Sequence, residues 1–313
     1  MVMPVLHGFS RLYARLCGAF LCMFLAVPHV AYALDIAVVV SQRSGPYQAF
    51  ADAFGRNAVG LGHHIFDAGT PEQGLDDVAL ARADLVVASG EAALVAALRL
   101  HPRPTLATML SRERFELLRA QHPKAQLSAF MLDQPADRQM RLLRAVLPDS
   151  RRVGALFGTQ KLGEADLLSA ASSAGLELIA AIVPSERELI GGLETVLRSS
   201  DAFIAIPDPV LSSPSAARAI LLTSYRFQKP IIAFSRAYVE AGALAAVFTT
   251  PELIAADAAA WLGTQQGGKV SLPAPSGPVS FDIAVNRQVA RALGIRLADD
   301  AELRHLTEGG KPR

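Results

Sequence analysis

Polar side chains follow three short apolar runs between residues 200 and 251, at the positions where each run ends. The runs are AFIAI at 202–206, PIIAF at 230–234 and ALAAVF at 243–248, with a helix-compatible segment between the first two. Such runs are typical of strands buried on both faces of a parallel sheet with helical crossovers. In these sheets the loops at the strand carboxyl ends form the binding crevice. The candidate residues after the first two runs are Asp208, Ser212, Ser213, Ser235, Arg236 and Tyr238.

Two serines near the amino-terminal end of the chain precede predicted helices. Ser41 and Gln42 end the first predicted strand ahead of Gly45-Pro46, and Ser89-Gly90 ends a later strand. Main-chain amides at either helix start are suited to a carboxylate or another anion. An ordinary helix N-cap explains both serines equally well.

Other candidate contacts are placed by topology. Thr159 and Gln160 follow a predicted strand and should lie at the mouth of the crevice, and Ser111 follows another predicted strand. An aromatic or hydrocarbon ligand needs flat apolar walls, which aromatic side chains near the strand ends would supply. Core packing is the alternative explanation for these side chains, above all for Phe157. The aromatic residues nearest the predicted strand ends are Tyr47, Phe157, Phe234 and Tyr238.

The elements that position these residues alternate between strand and helix. Apolar runs and helix-compatible segments alternate from Asp35 to Phe130, and the alternation restarts after Asp133. This predicts two doubly wound, Rossmann-like α/β lobes joined by a three-stranded hinge. The predicted crossings lie near 132–135, 247–250 and 273–279. Lobe 1 is then 34–132 plus 250–275, lobe 2 is 133–249 plus 276–297, and 298–313 is a flexible polar tail.

A helix predicted at 135–147 places its apolar residues on one face. Arg138, Arg141 and Arg144 fall outside that face and are expected to be solvated.

The first 33 residues have the pattern of a secretory signal peptide. Arg11 and Arg15 precede an apolar run from Cys17 to Val27, and Ala31-Tyr32-Ala33 is typical of a cleavage site after Ala33. The run is shorter than the roughly 20 residues of a membrane span, although an uncleaved anchor is the alternative. Cleavage predicts a periplasmic protein.

The chain after Ala33 has 280 residues, no cysteine, 28 Lys or Arg and 29 Asp or Glu. A near-neutral charge gives no reason to expect a nucleic-acid or acidic-membrane partner. A chain without cysteine has neither disulfides nor a thiolate metal site.

Sequence motifs argue against an enzyme. His63 and His64 lack the spacing of a zinc-protease helix, and the sequence contains no P-loop, no Gly-x-Ser-x-Gly elbow and no cysteine nucleophile in the mature chain.

Four segments together carry a family resemblance. They are QMRLLRAVLPDSRRVGALF at 139–157, IPDP at 206–209, the segment 220–247 and FDIAVNRQVARALGI at 281–295. The chain resembles the substrate-binding proteins of ABC transporters with the type I periplasmic-binding fold, in the group that includes tryptophan- and tyrosine-binding members. The resemblance covers most of residues 120–295.

The resemblance implies a monomeric receptor without enzymatic activity or cofactor, which delivers an amino acid or related small solute to an inner-membrane ABC permease. It places Asp208 where a carboxylate pairs with a ligand's ammonium group, while an Asx-type turn or a helix cap is the structural alternative. Glu91 departs from the small and hydroxylated residues usual after that strand, and its charge would repel a ligand's carboxylate. The departures in lobe 1 motivate a rival hypothesis, a sensory binding protein coupled to a membrane signalling partner.

Overall fold

The apolar runs form two parallel sheets, one in each lobe, in a computed structural model that describes residues 33–100, 103–265 and 269–311. The predicted two-lobe α/β fold is therefore confirmed. The predicted signal peptide lies outside the described residues, apart from Ala33 at its end.

Lobe 1 is built from the first half of the chain. Its strands are β1 (Asp35–Val40), β2 (His64–Asp67), β3 (Gly69–Thr70), β4 (Gly74–Leu75), β5 (Leu85–Ser89), β6 (Thr105–Thr108) and β7 (Leu127–Phe130). Its helices are α1 (Gly45–Gly60), α2 (Asp77–Arg82), α3 (Glu91–Leu100) and α4 (Arg112–Gln121). The parallel sheet has the order β2-β1-β5-β6-β7, while β3 and β4 form a separate small hairpin. This hairpin and α2 are absent from the sequence-based prediction.

Lobe 2 has a larger sheet. Its strands are β8 (Arg152–Phe157), β9 (Glu177–Ile182), β10 (Ala202–Ile204), β11 (Ile231–Ala233), β12 (Ala245–Phe248) and β13 (Asp282–Val285). The helices that follow β7 in the chain are α5 (Ala136–Val146), α6 (Glu164–Ser173), α7 (Leu189–Ser199), α8 (Pro214–Arg226), α9 (Arg236–Glu240), α10 (Pro251–Leu262), α11 (Arg287–Ala292) and α12 (Asp300–Glu308). Of these, α10 packs on lobe 1. The order is β13-β12-β11-β10-β8-β9, and only β13 runs antiparallel to its neighbour.

Strand β1 shows why these runs lack polar residues. Ile36, Val38 and Val40 point into one core, while Ala37 and Val39 point into the core on the opposite face. A strand covered by helices on both faces favours apolar side chains at nearly every position. Lobe 2 repeats the arrangement, with Ala202 and Ile204 in one core and Phe203 in the other.

The chain passes between the lobes three times. It leaves lobe 1 after β7. It returns to lobe 1 after β12, as the packing of α10 on α1 shows. Beside β7, Ser276 donates to the Ala129 carbonyl at 3.0 Å, and the chain then enters β13. Asp257 of α10 ties this third passage by accepting the Val279 N–H at 2.8 Å and the Ser280 hydroxyl at 2.6 Å.

The carboxyl-terminal segment corrects the prediction of a flexible tail. Helix α12 lies against α5, and Leu303 is fully buried in the lobe 2 core. The Asp299 carboxylate caps the helix by accepting the Glu302 N–H at 2.8 Å. The segment is mostly polar, so its one apolar stripe was missed in the prediction. Such a stripe is sufficient to dock a helix.

The arginines of α5 also differ from expectation. Arg141 donates to the Thr307 carbonyl of α12 at 2.8 Å, and Arg144 donates to the Ala174 carbonyl at 2.8 Å. Arg138 reaches the Pro278 carbonyl at 2.9 Å in the third passage. These side chains join elements of the fold instead of lying free in solvent.

Candidate functional site

The carboxyl ends of the two parallel sheets face each other across a cleft. One ion pair spans it in the described part of the chain, from Arg112 at the start of α4 in lobe 1 to Asp166 of α6 in lobe 2, at 3.7 Å. The Arg112 main-chain N–H also donates to Asp133 in the first passage between lobes, at 2.6 Å. These contacts place the loop after β6 opposite the loop after β8.

The loops after β1 and β5 bring three predicted residues together. The Ser41 hydroxyl accepts the Ala93 N–H at 3.1 Å and so caps α3. Gly90 has φ of +93°, and a Cβ there would lie 2.4 Å from the Ser41 hydroxyl and 2.5 Å from the Tyr47 ring. Glycine is required here by both its backbone angle and its space. Gln42 is exposed beside them.

Ser89 does not belong to this surface. It is fully buried, and its hydroxyl donates to the Tyr47 carbonyl at 3.2 Å. Its alternating position in β5 turns it into the lobe, so its role is to tie β5 to α1.

A pair that sequence reasoning missed changes the interpretation of Glu91. Arg114 of α4 binds both carboxylate oxygens of Glu91, with Nε at 2.8 Å from Oε2. The hydrogen bond from Arg114 lowers the pKa of Glu91. The Glu91 charge is therefore neutralised locally, and its expected repulsion of a carboxylate is reduced.

The loop after β6 is conformationally constrained. Met109 has a positive φ of 58°, unusual for a residue with a side chain. Ser111 is the N-cap of α4 and accepts the Arg114 N–H at 3.4 Å. Ser111 is therefore engaged as a helix cap.

Asp208 anchors the lobe 2 side of the cleft. Only 3% exposed, it accepts the Gly158 N–H through Oδ2 and the Val210 N–H through Oδ1, each at 2.9 Å. A Cβ at Gly158 would meet Oδ2 at 2.9 Å. The carboxylate thus forms the Asx-type turn of the structural alternative and also fixes the loop after β8.

The remaining lobe 2 candidates divide between the core and the rim. Phe157 is fully buried in the core, so the prediction that it forms a wall of the cleft is wrong, because its position in β8 turns it inward. Thr159 and Gln160 are exposed in the loop that follows. Ser235 caps α9 by accepting the Tyr238 N–H at 3.2 Å.

Tyr238 is 7% exposed and packs edge-on against Phe234, with ring centroids 5.5 Å apart. Burial raises the pKa of Tyr238 to about 12, so its hydroxyl stays protonated at neutral pH. That hydroxyl has no hydrogen-bond partner among the described residues.

The surroundings of Glu113 in the cleft disfavour its charged form. Desolvation raises the pKa of Glu113, and the charges of Asp208 and Asp133 raise it further. Glu113 lies in α4 of lobe 1 and Asp208 in the loop after β10 of lobe 2, so this repulsion acts across the cleft.

A concavity of about 540 Å³ lies on lobe 1 beside these loops. Ser41, Gln42, Tyr47 and Glu91 line its polar end, and Val95 lies on its apolar side. In the described residues, no group of three or more His, Cys, Asp or Glu side chains is arranged to hold a metal ion.

Residues 130–304 match the protein family described as ABC transporter substrate binding protein. The matched segment is more than half of the 313 residues. The chain belongs to this family. It is therefore a solute-binding, non-enzymatic protein of the ABC-transporter type, and the predicted family resemblance is confirmed.

Solved structures support the fold. The ABC domain from Streptococcus pneumonia, in complex with L-Trp, is 18% identical and aligns with a TM-score of 0.54 over 88% of this chain and 99% of that chain. A substrate-binding protein with adhesive properties from Clostridium difficile, in a ligand-free, open form, is 17% identical with a TM-score of 0.61, covering 85% and 96% of the two chains. A conserved domain protein from Vibrio cholerae is 17% identical with a TM-score of 0.55, covering 84% and 95%.

A search of curated proteins found no match. No helix in the described ranges is long and apolar enough to cross a membrane. In this substrate-binding protein the family match covers lobe 2, all three passages and helix α10, while the lobe 1 sheet before Phe130 is matched by fold alone.

Proposed function

We propose that this protein is exported to the periplasm, with cleavage after Ala33, and delivers an amino acid or a related small organic solute to an inner-membrane ABC permease. The observation that carries the proposal is the pairing of two polar loop systems across one cleft, linked by Arg112 and Asp166. A solute held there touches both lobes at once. Ligands of open α/β sheets bind at this edge.

The start of α1 is suited to the solute's carboxylate. Its N-cap residue, Ser44, makes no side-chain capping bond, and its first turn contains no acid. The start of α3 is different, because the Ser41 hydroxyl already accepts the Ala93 N–H there and the acidic Glu91 lies in the first turn. The positive end of the α1 dipole is the better anion site of the two.

The acidic side chains favour a cationic group at the other end of the solute. Desolvation disfavours the Glu113 charge and raises the pKa of Glu113, and repulsion by Asp208 across the cleft adds to this effect. An ammonium group placed between them would offset both effects. Together with the α1 start, this charge arrangement supports an α-amino acid or a close analogue.

Closure follows from the same contacts. The lobes, 34–132 plus 250–275 and 133–249 plus 276–297, would exchange between open and closed arrangements by motion at the three passages. A solute that contacts both lobes favours the closed arrangement by its differential affinity.

Thermal melting of the chain from Leu34 onward tests the proposal. The protein is refolded to remove any carried-over ligand and melted with amino acids, aromatic acids, purines and short peptides. A solute at about 100 times its Kd adds roughly 2.7 kcal/mol, which gives a shift of several degrees. The proposal expects a shift with at least one amino acid or analogue, and no shift across the panel contradicts it.

Uptake of the same solute, measured in cells with and without the gene, tests the permease partner. Loss of uptake in the deleted strain is expected. Binding in vitro with unchanged uptake would instead favour the sensory role.

A further inference from the structure

A groove on the flank of lobe 2 lies outside the contacts described for the cleft. Its volume is about 710 Å³, and it is lined by Ile190 of α7 and by one face of α8. The α7–α8 groove exposes three large apolar side chains, namely Ile190 at 51%, Leu222 at 60% and Tyr225 at 78%. Scattered exposed hydrophobic residues are normal, but a cluster in one concavity marks an interaction surface.

The exposed face of α8 is not needed for the core. The helix buries Ala216, Ile220 and Thr223 against lobe 2. Arg218, Leu222 and Arg226 are spaced by four residues and form one stripe on the opposite, groove-lining face. The stripe is therefore apolar at its centre and basic at both ends.

These two arginines have no partner within the described chain. No ion pair or side-chain hydrogen bond joins Arg218 or Arg226 to another described residue, and no carboxylate lines the groove. A second groove of about 570 Å³, beside β13, gives the contrast. There Asp282 pairs with Arg236 and Arg304, and Asp300 pairs with Arg287. The basic side chains of that groove are neutralised internally, whereas those of the α7–α8 groove are not.

Charge decides which occupant fits. A second copy docked by the same face would bring the arginines of one copy against those of the other, and like charges opposed in this way disfavour association. Concavity favours an inserted segment over a flat lipid surface, to which two basic residues alone bind only weakly.

We infer that the α7–α8 groove docks an amphipathic segment of another protein that carries carboxylates beside its apolar side chains. Its apolar residues contact Ile190, Leu222 and Tyr225, and its carboxylates pair with Arg218 and Arg226. Docking an amphipathic helix by its apolar face into a groove is a common mode of recognition, and Tyr and Arg are enriched at such interfaces.

Site-specific photocrosslinking in the cells that make the protein tests the inference. A photoreactive phenylalanine analogue replaces Leu222 in the full chain, and the control replaces Leu168, 54% exposed on α6 of the same lobe. The expected result is an adduct at 222 and not at 168, in which the crosslinked peptide belongs to a different protein and combines Asp or Glu with apolar residues.

Charge variants make the result specific. Arg218→Glu with Arg226→Glu should reduce the adduct roughly tenfold, since both rim pairs become repulsive. Arg218→Lys with Arg226→Lys should retain it. Thermal melts of both variants confirm folding, and Arg218→Gln with Arg226→Gln replaces the Glu variant if the latter is unstable. An adduct no stronger than at 168, a self-adduct, a lipid adduct, or an adduct insensitive to charge overturns the inference.

Discussion

The two sides of the cleft hold their polar groups differently. Lobe 2 presents Asp208, almost fully buried, with each oxygen bonded to a main-chain N–H of a different loop. Lobe 1 presents Glu91 and Arg114, whose side chains are 39% and 42% exposed and bond chiefly to each other. A buried, bonded carboxylate fixes loop geometry, while exposed charged side chains rearrange at little cost. The difference indicates that lobe 2 supplies a rigid wall and lobe 1 the adjustable contacts.

The largest effect is expected from removing the buried anchor. Asp208→Ala removes the acceptor of the buried Gly158 N–H and of the half-buried Val210 N–H, and it should lower the free energy of unfolding by about 3 kcal/mol. Asp201 is a matched control, because it accepts two main-chain N–H groups at 2.8 Å but is 36% exposed at its side chain. Asp201→Ala should cost about 1 kcal/mol. Urea unfolding measures both, and equal losses would remove the distinction between buried and exposed anchors.

A steric change tests the lobe 1 wall. Gly90→Ala places a Cβ against Ser41 and Tyr47 and should destabilise the chain by about 2 kcal/mol more than a matched change. That match is Gly74→Ala, since Gly74 has φ of +92° and nothing within 4 Å of the added Cβ. If the two variants melt alike, the contact of Gly90 with Ser41 and Tyr47 is looser than the structure indicates.

A pH dependence is expected from His63 in lobe 1. Its ring accepts the Leu34 N–H at 3.2 Å, and burial, with a smaller effect of the His64 charge, lowers the pKa of His63. The unfolded chain, with a histidine pKa of about 6.5, then binds this proton more readily than the folded chain. The stability contributed by the neutral ring is complete above that pH and falls as the pH drops below it.

Melting temperatures between pH 8 and pH 5 check this dependence, an acid-side range set by the histidine pKa of about 6.5. His63→Asn keeps an acceptor for Leu34 without titrating and should flatten the acid limb. His122→Asn serves as the control. A curve for His63→Asn parallel to the wild type would assign the acid limb to other groups.

The smallest expected effect on stability is at the ion pair across the cleft. Both side chains of the Arg112–Asp166 pair are more than half exposed, so Asp166→Ala should change the free energy of unfolding by less than about 1 kcal/mol. Its effect should appear instead as a more open ligand-free protein, measured as a larger radius of gyration by X-ray scattering. Asp137→Ala breaks an exposed pair within lobe 2 and should leave the radius unchanged. A radius that responds equally to both variants contradicts a cross-cleft role.

Much of the fold follows from local sequence patterns. The buried strands were predictable because a run such as IAVVV at 36–40 has no polar position, and the alternation with helices indicated the two-lobe class. The β3–β4 hairpin was missed because its strands have two residues each. Helix α12 was missed because only two of its residues, Leu303 and Thr307, are buried in an otherwise polar segment.

The site was less predictable, because its contacts join distant positions. Arg114 and Glu91 are separated by 23 residues, and nothing in the local sequence of either names the other. The capping roles of Ser111 and Ser235 follow a local rule, since serine is preferred at helix N-caps, but a cap was predicted as an alternative only for Ser41, Ser89 and Asp208. The inward orientation of Phe157 depends on the register of β8, which a single apolar run does not specify.

The central claim is that the lobes close on a small solute, and a distance between them tests it most directly. The chain from Leu34 onward contains no cysteine, so Glu72→Cys on the β3–β4 turn and Arg187→Cys before α7 can be spin-labelled cleanly. Both sites are exposed, and they lie at the carboxyl-end side of the edge strands β2 and β9. Double electron-electron resonance measures the distance between the two spin labels. Adding a solute that raises the melting temperature should shorten this distance. Binding that leaves the distance distribution unchanged would contradict the account.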